Sequence, residues 1–348
     1  MTGEATFATH SFTGLVYDTM YYVSVMAVDA EGQEVIDTET ITTAPGLLIA
    51  YNDGYTANAT GSFTIPAGKS SITVFGCGGG GGSGYGSLLA YINYSQGADG
   101  GGAAHLAGYS IAVTAGQTYS YSIGCGGKAA IVDNTSGAAG GNTSLSLNDG
   151  GVVFQMNGGA GGASGQGGSA GGAGGTVVVG TGGVAGGAGG AGGVRDVSNG
   201  ANGAGATNAC GGGGGGGSHV TFKTGGAGGA STITASTFTA AAGYTVSFAG
   251  STGGAAGTPA SGTNAKPAAL LGAIGGYGSE YTLDTNTGAG GGAGAGVVPV
   301  LSFLTSPTRL YGGGGGGNRT YIVGPTYSTV DAASVPDGSG GGGFLIVV

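Results

Sequence analysis

The sequence predicts an all-β protein, a jelly-roll-like β-sandwich whose strands are joined by long glycine-rich insertions. Glycine fills 91 of the 348 positions, several times its ordinary share, and it is a poor residue for helix interiors. Charged residues make up 7% of the chain and apolar residues 40%, which is unlike a disordered tail. Short alternating apolar segments separate the glycine tracts, and this period is typical of half-buried strands. These observations exclude an ordinary helical or α/β enzyme.

Residues 1–45 form a first unit, because they hold much of the acidic charge and few glycines. The alternation predicts one strand from Tyr21, a turn at 30–33 and a second strand over 35–42. The series resembles the last strands of a fibronectin type III domain, carried by Gly14, Asp18, Tyr21, Val23, Val25, Ala27, Asp29, Gly32 and Pro45. The resemblance implies that Tyr21 is the corner tyrosine of that family. Only part of such a domain is present.

Residues 46–348 form a second unit, in which strands alternate with glycine tracts. Alternation and turn residues predict strands ending near Phe63 and over 71–75, 103–113, 118–123, 140–147, 152–156 and 344–348. The apolar insert that begins at Val297 is interpreted as the core of a loop or a subunit contact.

The glycine tracts repeat with a period of three residues. Glycine occupies every third position from Gly162 to Gly174 and again from Gly183 to Gly192. Three residues per turn is the period of the polyproline II helix, which makes no internal hydrogen bonds. Several such segments can bond to one another only where no side chain separates them, and glycine allows that approach. We therefore expect the insertions to pack together as polyglycine II helices.

The ordered series of strand and glycine motifs resembles the glycine-rich domain of bacteriophage tail-fibre and tail-tip proteins. Its pieces are Phe63-Thr-Ile-Pro-Ala-Gly, Ile72-Thr-Val-Phe-Gly-Cys-Gly-Gly, Thr114-Ala-Gly-Gln-Thr-Tyr, Gly141-Asn-Thr-Ser and Gly342-Gly-Phe-Leu-Ile-Val. The resemblance implies a virion structural protein that displays loops for attachment to a host-surface glycan or outer-membrane protein. It also implies a homotrimer in which residues 1–45 contact other virion proteins.

The charge and hydropathy patterns exclude two classes of binding partner, nucleic acids and the membrane interior. The net charge is −9 with only seven Lys or Arg, and these are scattered along the chain. Without a basic patch we expect no nucleic-acid binding, and without a long apolar run we expect no membrane insertion. The first residues have no basic start and no apolar stretch, so we predict no signal peptide. Release by lysis then brings the virion protein outside the cell.

Catalytic, cofactor and metal sites find little support in the sequence. His10, His105 and His219 lie far apart, each without a companion carboxylate or cysteine at a motif spacing. The three cysteines each precede a glycine run, and we interpret them as small buried residues rather than as metal ligands or a disulfide. We therefore predict no enzyme, no cofactor and no metal.

Tyrosine is the residue that indicates recognition. The chain has 17 tyrosines and no tryptophan, and many tyrosines lie between glycine tracts. Tyrosine gives a large contact area with few torsions, and it is frequent in adaptable binding loops. The predicted receptor-binding residues are Tyr85, Tyr91, Tyr94, Tyr277, Tyr281, Tyr311, Arg319, Tyr321 and Tyr327. Each tyrosine has a plainer interpretation, in which it covers the glycine bundle.

Two other functions stay open. A bacterial extracellular adhesin or filament subunit would use the same scaffold, although no signal peptide is predicted for it. An ice-binding protein would use a flat, regular face of the bundle. An enzyme that cleaves host glycans ranks last.

Overall fold

The structure is a computed structural model of the chain. It describes residues 20–28, 34–42, 48–52, 54–85, 88–89, 93–94, 100–130, 135–148, 150–164, 170–180, 183–192, 199–215, 226–234, 237–239, 245–255, 294–301, 311–315 and 338–348.

The described residues form strands and no helix, which confirms the all-β class. In chain order the strands are β1 (Met20–Val28), β2 (Glu34–Thr42), β3 (Leu48–Tyr51), β4 (Ala59–Thr64), β5 (Ser71–Cys77), β6 (Leu88–Leu89), β7 (Asn93–Tyr94), β8 (His105–Ala112), β9 (Thr118–Ile123), β10 (Thr143–Leu147), β11 (Val152–Met156), β12 (Val177–Val179), β13 (Ala206–Thr207), β14 (Ser231–Thr232), β15 (Phe238–Thr239), β16 (Thr245–Gly250), β17 (Val297–Leu301) and β18 (Phe344–Val347). The described part of the chain therefore offers no helix that could cross a membrane.

The predicted strands of the second unit are confirmed, and they fall into two sheets. One sheet has the order β12-β11-β10-β9-β4, and the other has the order β3-β18-β5-β8; every pairing in both is antiparallel. In the first unit, β1 pairs with β2 as an antiparallel hairpin from Met20–Thr42 to Val28–Glu34.

Both sheets contribute to one hydrophobic cluster. Val74 and Leu345 from the four-stranded sheet are fully buried with Leu145 and Phe154 from the five-stranded sheet. Their neighbours in sequence point to the opposite side, because side chains alternate along a strand. The cluster therefore fills the space between the two sheets.

The other face of the four-stranded sheet is covered as well. Phe75 and Phe344 belong to a second cluster with Phe248 of β16 and Val297 of β17, and we call it the aromatic cluster. The rings of Phe248 and Phe344 stack at 5.9 Å. Alternation in β18 thus gives one face to each cluster, and the strand is buried on both sides.

The interpretation of the insert at Val297 as a loop core was wrong. Residues Val297–Leu301 form β17, which pairs with β16 at the edge of a three-stranded sheet. Pro299 lies in this strand, where an edge position tolerates a residue without an N–H group. The apolar composition is explained by the aromatic cluster, which buries Val297 completely.

Residues 78–84 bond to their neighbours in a rotating order. Successive N–H groups donate to three different glycine-rich segments, and the order repeats after three residues. The bonds are Gly78 to Ala104, Gly79 to Gly141, Gly80 to Gly341, Gly81 to Gly101, Gly82 to Ala138 and Ser83 to Gly338, at 2.7–3.2 Å.

The carbonyl groups of the same segment accept from three further segments. Gly159 donates to Gly79, Gly127 to Gly80, Gly315 to Gly81, Gly162 to Gly82 and Ala130 to Ser83. Six segments therefore surround residues 78–84, and all of its residues are buried. We call this set of glycine-rich segments the glycine bundle.

Candidate functional site

The glycine bundle has two distinct ends. The sheet end begins at Gly78, which directly follows β5 and bonds to Ala104 just before β8. At the other end, which we call the distal end, Ser83 donates to Gly338 and accepts from Ala130, and Tyr85 donates to Thr135 at 2.8 Å. The bundle residues that directly border residues 86–99, 131–134 and 316–337 therefore lie close to one another.

Further connecting segments begin and end at the distal end. Their bordering residues bond across the pairs Ala163 with Ala170, Ala191 with Ala201, and Gly215 with Gly226. Gly254 accepts from Gly228, while Gly294 donates to Gly314, so the chain on both sides of residues 256–293 also joins the bundle. The connecting segments that border the distal end are 86–99, 131–134, 165–169, 193–198, 216–225, 256–293 and 316–337.

Of the nine predicted recognition residues, Tyr85, Tyr94 and Tyr311 lie among the described residues. Tyr85 is the last bundle residue before residues 86–99, and Tyr94 pairs with Leu88 in the small β6–β7 hairpin. Outside the described residues lie Tyr91, Tyr277, Tyr281, Arg319, Tyr321 and Tyr327. They belong to connecting segments whose bordering residues lie at the distal end. The topology therefore brings together the described residues that border these segments, such as Ser83, Ala130 and Gly338.

Tyr311 is the exception among the predicted recognition residues. Its side chain is 5% exposed and belongs to the aromatic cluster. Its ring stacks on Tyr51 at 5.1 Å and meets Phe344 edge-on at 5.6 Å. A ring packed in this way is not offered to a partner, so Tyr311 is not part of the candidate site.

The scaffold beneath the candidate site carries almost no charge. Among the described residues of the glycine bundle, Lys128 is the charged residue, and it is exposed. A side chain on most other bundle positions would strike backbone: a methyl group on Gly81 would overlap the Ala160 carbonyl. The bundle therefore holds the residues that border the connecting segments through backbone contacts.

His105 is a buried histidine within the fold. Its Nδ1 lies 3.0 Å from the Asn208 carbonyl, and a neutral ring donates this bond from Nδ1. Nε2 has no hydrogen-bond partner, and the ring packs on Phe248 at 5.0 Å. Burial lowers the pKa of His105 to about 4, while the bond to Asn208 opposes this shift.

The described part of the chain contains no candidate metal centre built from histidines and acidic residues. No group of three or more His, Cys, Asp or Glu side chains lies close enough to hold an ion among the residues described. His10 and His219 lie outside those residues.

The cysteines follow the predicted interpretation only in part. Cys77 and Cys210 are fully buried, whereas Cys125 is partly exposed. Sequence reasoning missed that the Cys77 and Cys210 sulfur atoms lie 3.3 Å apart. The signal was the shared pattern of a cysteine followed by three glycines, which marks equivalent entries into the bundle.

A scan against protein-family models and a search of curated proteins each found no match to this chain. The geometry of the distal end therefore carries the functional argument.

Proposed function

We propose that the glycine bundle is an array of polyglycine II helices and that it extends from a jelly-roll-like β-sandwich. The rotation of donors over three neighbours supports the first part, because a helix with three residues per turn directs successive N–H groups in three directions. The cluster shared by the two antiparallel sheets supports the second part.

We further propose that the chain is a structural protein of a phage tail fibre or tail tip and displays loops for attachment to the host surface. The observation that carries this proposal is that the residues bordering seven connecting segments lie at the distal end. Eight predicted recognition residues belong to the sequence at these borders or between them. Connecting segments on a rigid scaffold are a common arrangement for binding residues. Residues 1–45 contact other virion proteins in this proposal, and a host glycan or outer-membrane protein is the ligand.

Adsorption measurements test the attachment function. Virions carrying Tyr277→Ala together with Tyr281→Ala are expected to adsorb to host cells several-fold more slowly than the parent, because large contact area is lost. Tyr311→Phe is the matched control, since it keeps the ring in the aromatic cluster and should leave adsorption unchanged.

Immunogold electron microscopy tests the virion location. Labelling at the tail is the expected result. A protein found instead on the bacterial cell surface would favour the adhesin or filament subunit, and normal adsorption of virions that lack the chain would refute attachment.

A second function, ice binding, is favoured by the outer face of the five-stranded sheet. Hydroxyl side chains line this face in register across three strands, and neighbouring strands are about 4.8 Å apart. The rows are Thr60, Ser122 and Ser144; Ser62, Ser120 and Ser146; and Thr64 with Thr118. None of these side chains is buried.

Thermal hysteresis of the purified chain tests ice binding. If the hydroxyl face binds ice, Ser62→Lys should abolish the hysteresis, because a long charged side chain disrupts the rows. Thr207→Lys is the control, since Thr207 is exposed but lies in β13, outside this face. A purified chain without hysteresis removes this second function and leaves the attachment function standing.

A further inference from the structure

Cys77 and Cys210 form a close thiol pair across a long stretch of chain. Their sulfur atoms lie 3.3 Å apart although 133 positions separate the two residues. A disulfide bond is about 2.05 Å long, so bond formation requires an approach of about 1.3 Å. Both side chains are fully buried in the aromatic cluster.

The backbone holds both cysteines in place. Cys77 ends β5, where it pairs with Phe344, and its carbonyl accepts a 2.7 Å bond from Thr143 Oγ1. The Cys210 carbonyl accepts a 2.8 Å bond from the Gly187 N–H group. One thiol therefore belongs to the four-stranded sheet and the other to the glycine bundle.

The residues around the two sulfur atoms are so closely packed that no further atom fits beside them. A methyl group added to Gly312 would lie 2.7 Å from the Cys210 sulfur and would overlap the Cys77 sulfur as well. The Cys210 thiol also lies 3.2 Å from the Tyr311 carbonyl, to which it donates. These contacts keep the two sulfurs facing each other.

We propose that Cys77 and Cys210 are a redox-controlled crosslinking site, which a small disulfide such as oxidised glutathione converts into an intrachain disulfide. One cysteine thiolate attacks the glutathione disulfide and releases one glutathione thiolate. The second cysteine thiolate then attacks the protein sulfur of the mixed disulfide and releases the other. The two protein thiols lose two protons and two electrons in total, and one oxidised glutathione becomes two reduced molecules.

The two cysteines react with glutathione while the chain is still incompletely folded, and not in the folded protein. Burial raises the pKa of the Cys77 thiol, and the nearby Cys210 thiol adds to the rise, so little thiolate is present in the folded protein. A glutathione molecule also has no access to fully buried sulfurs. The bond therefore forms during folding, and once formed it is shielded from reductants.

Refolding of the full chain tests the proposal. The reduced, denatured protein is refolded with a mixture of oxidised and reduced glutathione, and free thiols are then blocked. Apart from the one blocking group on Cys125, the expected product has lost about 2 Da, the mass of two hydrogen atoms, and peptide mapping links Cys77 to Cys210. Its midpoint of chemical unfolding is higher than that of the reduced protein, because the closed loop restricts the unfolded chain.

Variants in which one of the three cysteines is replaced show which residues form the crosslink. Cys125→Ala should form the same crosslink, whereas Cys77→Ala and Cys210→Ala should not lose the two hydrogens. Native protein treated with iodoacetamide should be alkylated at Cys125 alone, which reports that the pair is folded and shielded. A refolded protein that keeps three free thiols, or that links Cys125 to either partner, overturns the proposal.

Discussion

A single methyl group separates glycine from alanine, and at most bundle positions there is no room for it. A Cβ on Gly79 would overlap the Cys125 carbonyl, and one on Gly80 would overlap the Gly313 carbonyl. These obstacles are backbone atoms, which cannot rotate away as a flexible side chain can. Glycine is therefore required at these positions by close approach and not by an unusual backbone angle.

Gly81→Ala tests this requirement. The added methyl would overlap the Ala160 carbonyl, so we expect the free energy of unfolding to fall by about 3 kcal/mol. Chemical denaturation measures the change. Gly151→Ala is the matched control, because nothing lies within 4 Å of its added Cβ, and its stability should change by less than about 1 kcal/mol. Equal effects of the two substitutions would contradict the packing described.

His105 makes stability depend on pH. Its pKa is about 4 in the folded chain and about 6.5 when unfolded, so the unfolded chain binds more protons between these values. Stability is fully present above pH 6.5 and is lost as the pH falls towards 4, by about 3 kcal/mol in total. Denaturation at pH 7.5 and pH 4.5 measures the loss, and His105→Gln should reduce this pH dependence. An unchanged dependence in the variant would show that other groups cause it.

At the scale of elements, the glycine-rich segments are packed and hydrogen-bonded parts of the fold, as the strands are, and not merely linkers between strands. Residues 78–84 continue β5 directly and are as completely buried as that strand's last residues. Backbone bonds to six neighbours replace the two neighbours that a strand has in a sheet. Each segment is consequently held from all sides without a hydrophobic side chain.

Amide exchange of residues 78–84 tests the role of these elements. The N–H groups from Gly78 to Ser83 are bonded and buried, so their exchange should be as slow as that of β9. Hydrogen–deuterium exchange followed by mass spectrometry measures it. Exchange at the rate of an unstructured chain would refute an ordered bundle, and the proposed display scaffold would fail with it.

At the scale of the whole molecule, three of the described sheets share hydrophobic clusters and are joined to one bundle. The four-stranded sheet lies between two hydrophobic clusters, and its strands β5, β8 and β18 continue into glycine-rich segments. The bundle then lies between the sheets and the residues that border the connecting segments. We expect changes in those segments to affect binding without affecting the stability of the scaffold.

Replacement of residues 256–293 tests this separation. A Gly-Ser linker of about eight residues should leave the unfolding midpoint unchanged, because residues on both sides are bonded to the bundle. Thermal and chemical denaturation measure the midpoint. The control that keeps the segment at its full length is the chain with Tyr277→Ser and Tyr281→Ser. A large loss of stability on replacement, but not in this control, would mean that the segment is part of the core.

The sequence by itself determined the all-β class and the location of half of the described strands, because alternation is a local property with a period of two residues. It also indicated ordered glycine tracts through their period of three. The short strand β12 and the strands around Phe248 were not predicted, since glycine-rich or weakly alternating surroundings hide them.

Only the tertiary structure decided which distant residues meet. The order β3-β18-β5-β8 places the last strand of the chain between early ones, and this order is set by packing between residues far apart in sequence. It buries Tyr311, brings Cys77 to Cys210 and places the residues that border the connecting segments at one end of the bundle. A local sequence pattern carries no information on such contacts, because they depend on which strands and glycine-rich segments pack together when the chain folds.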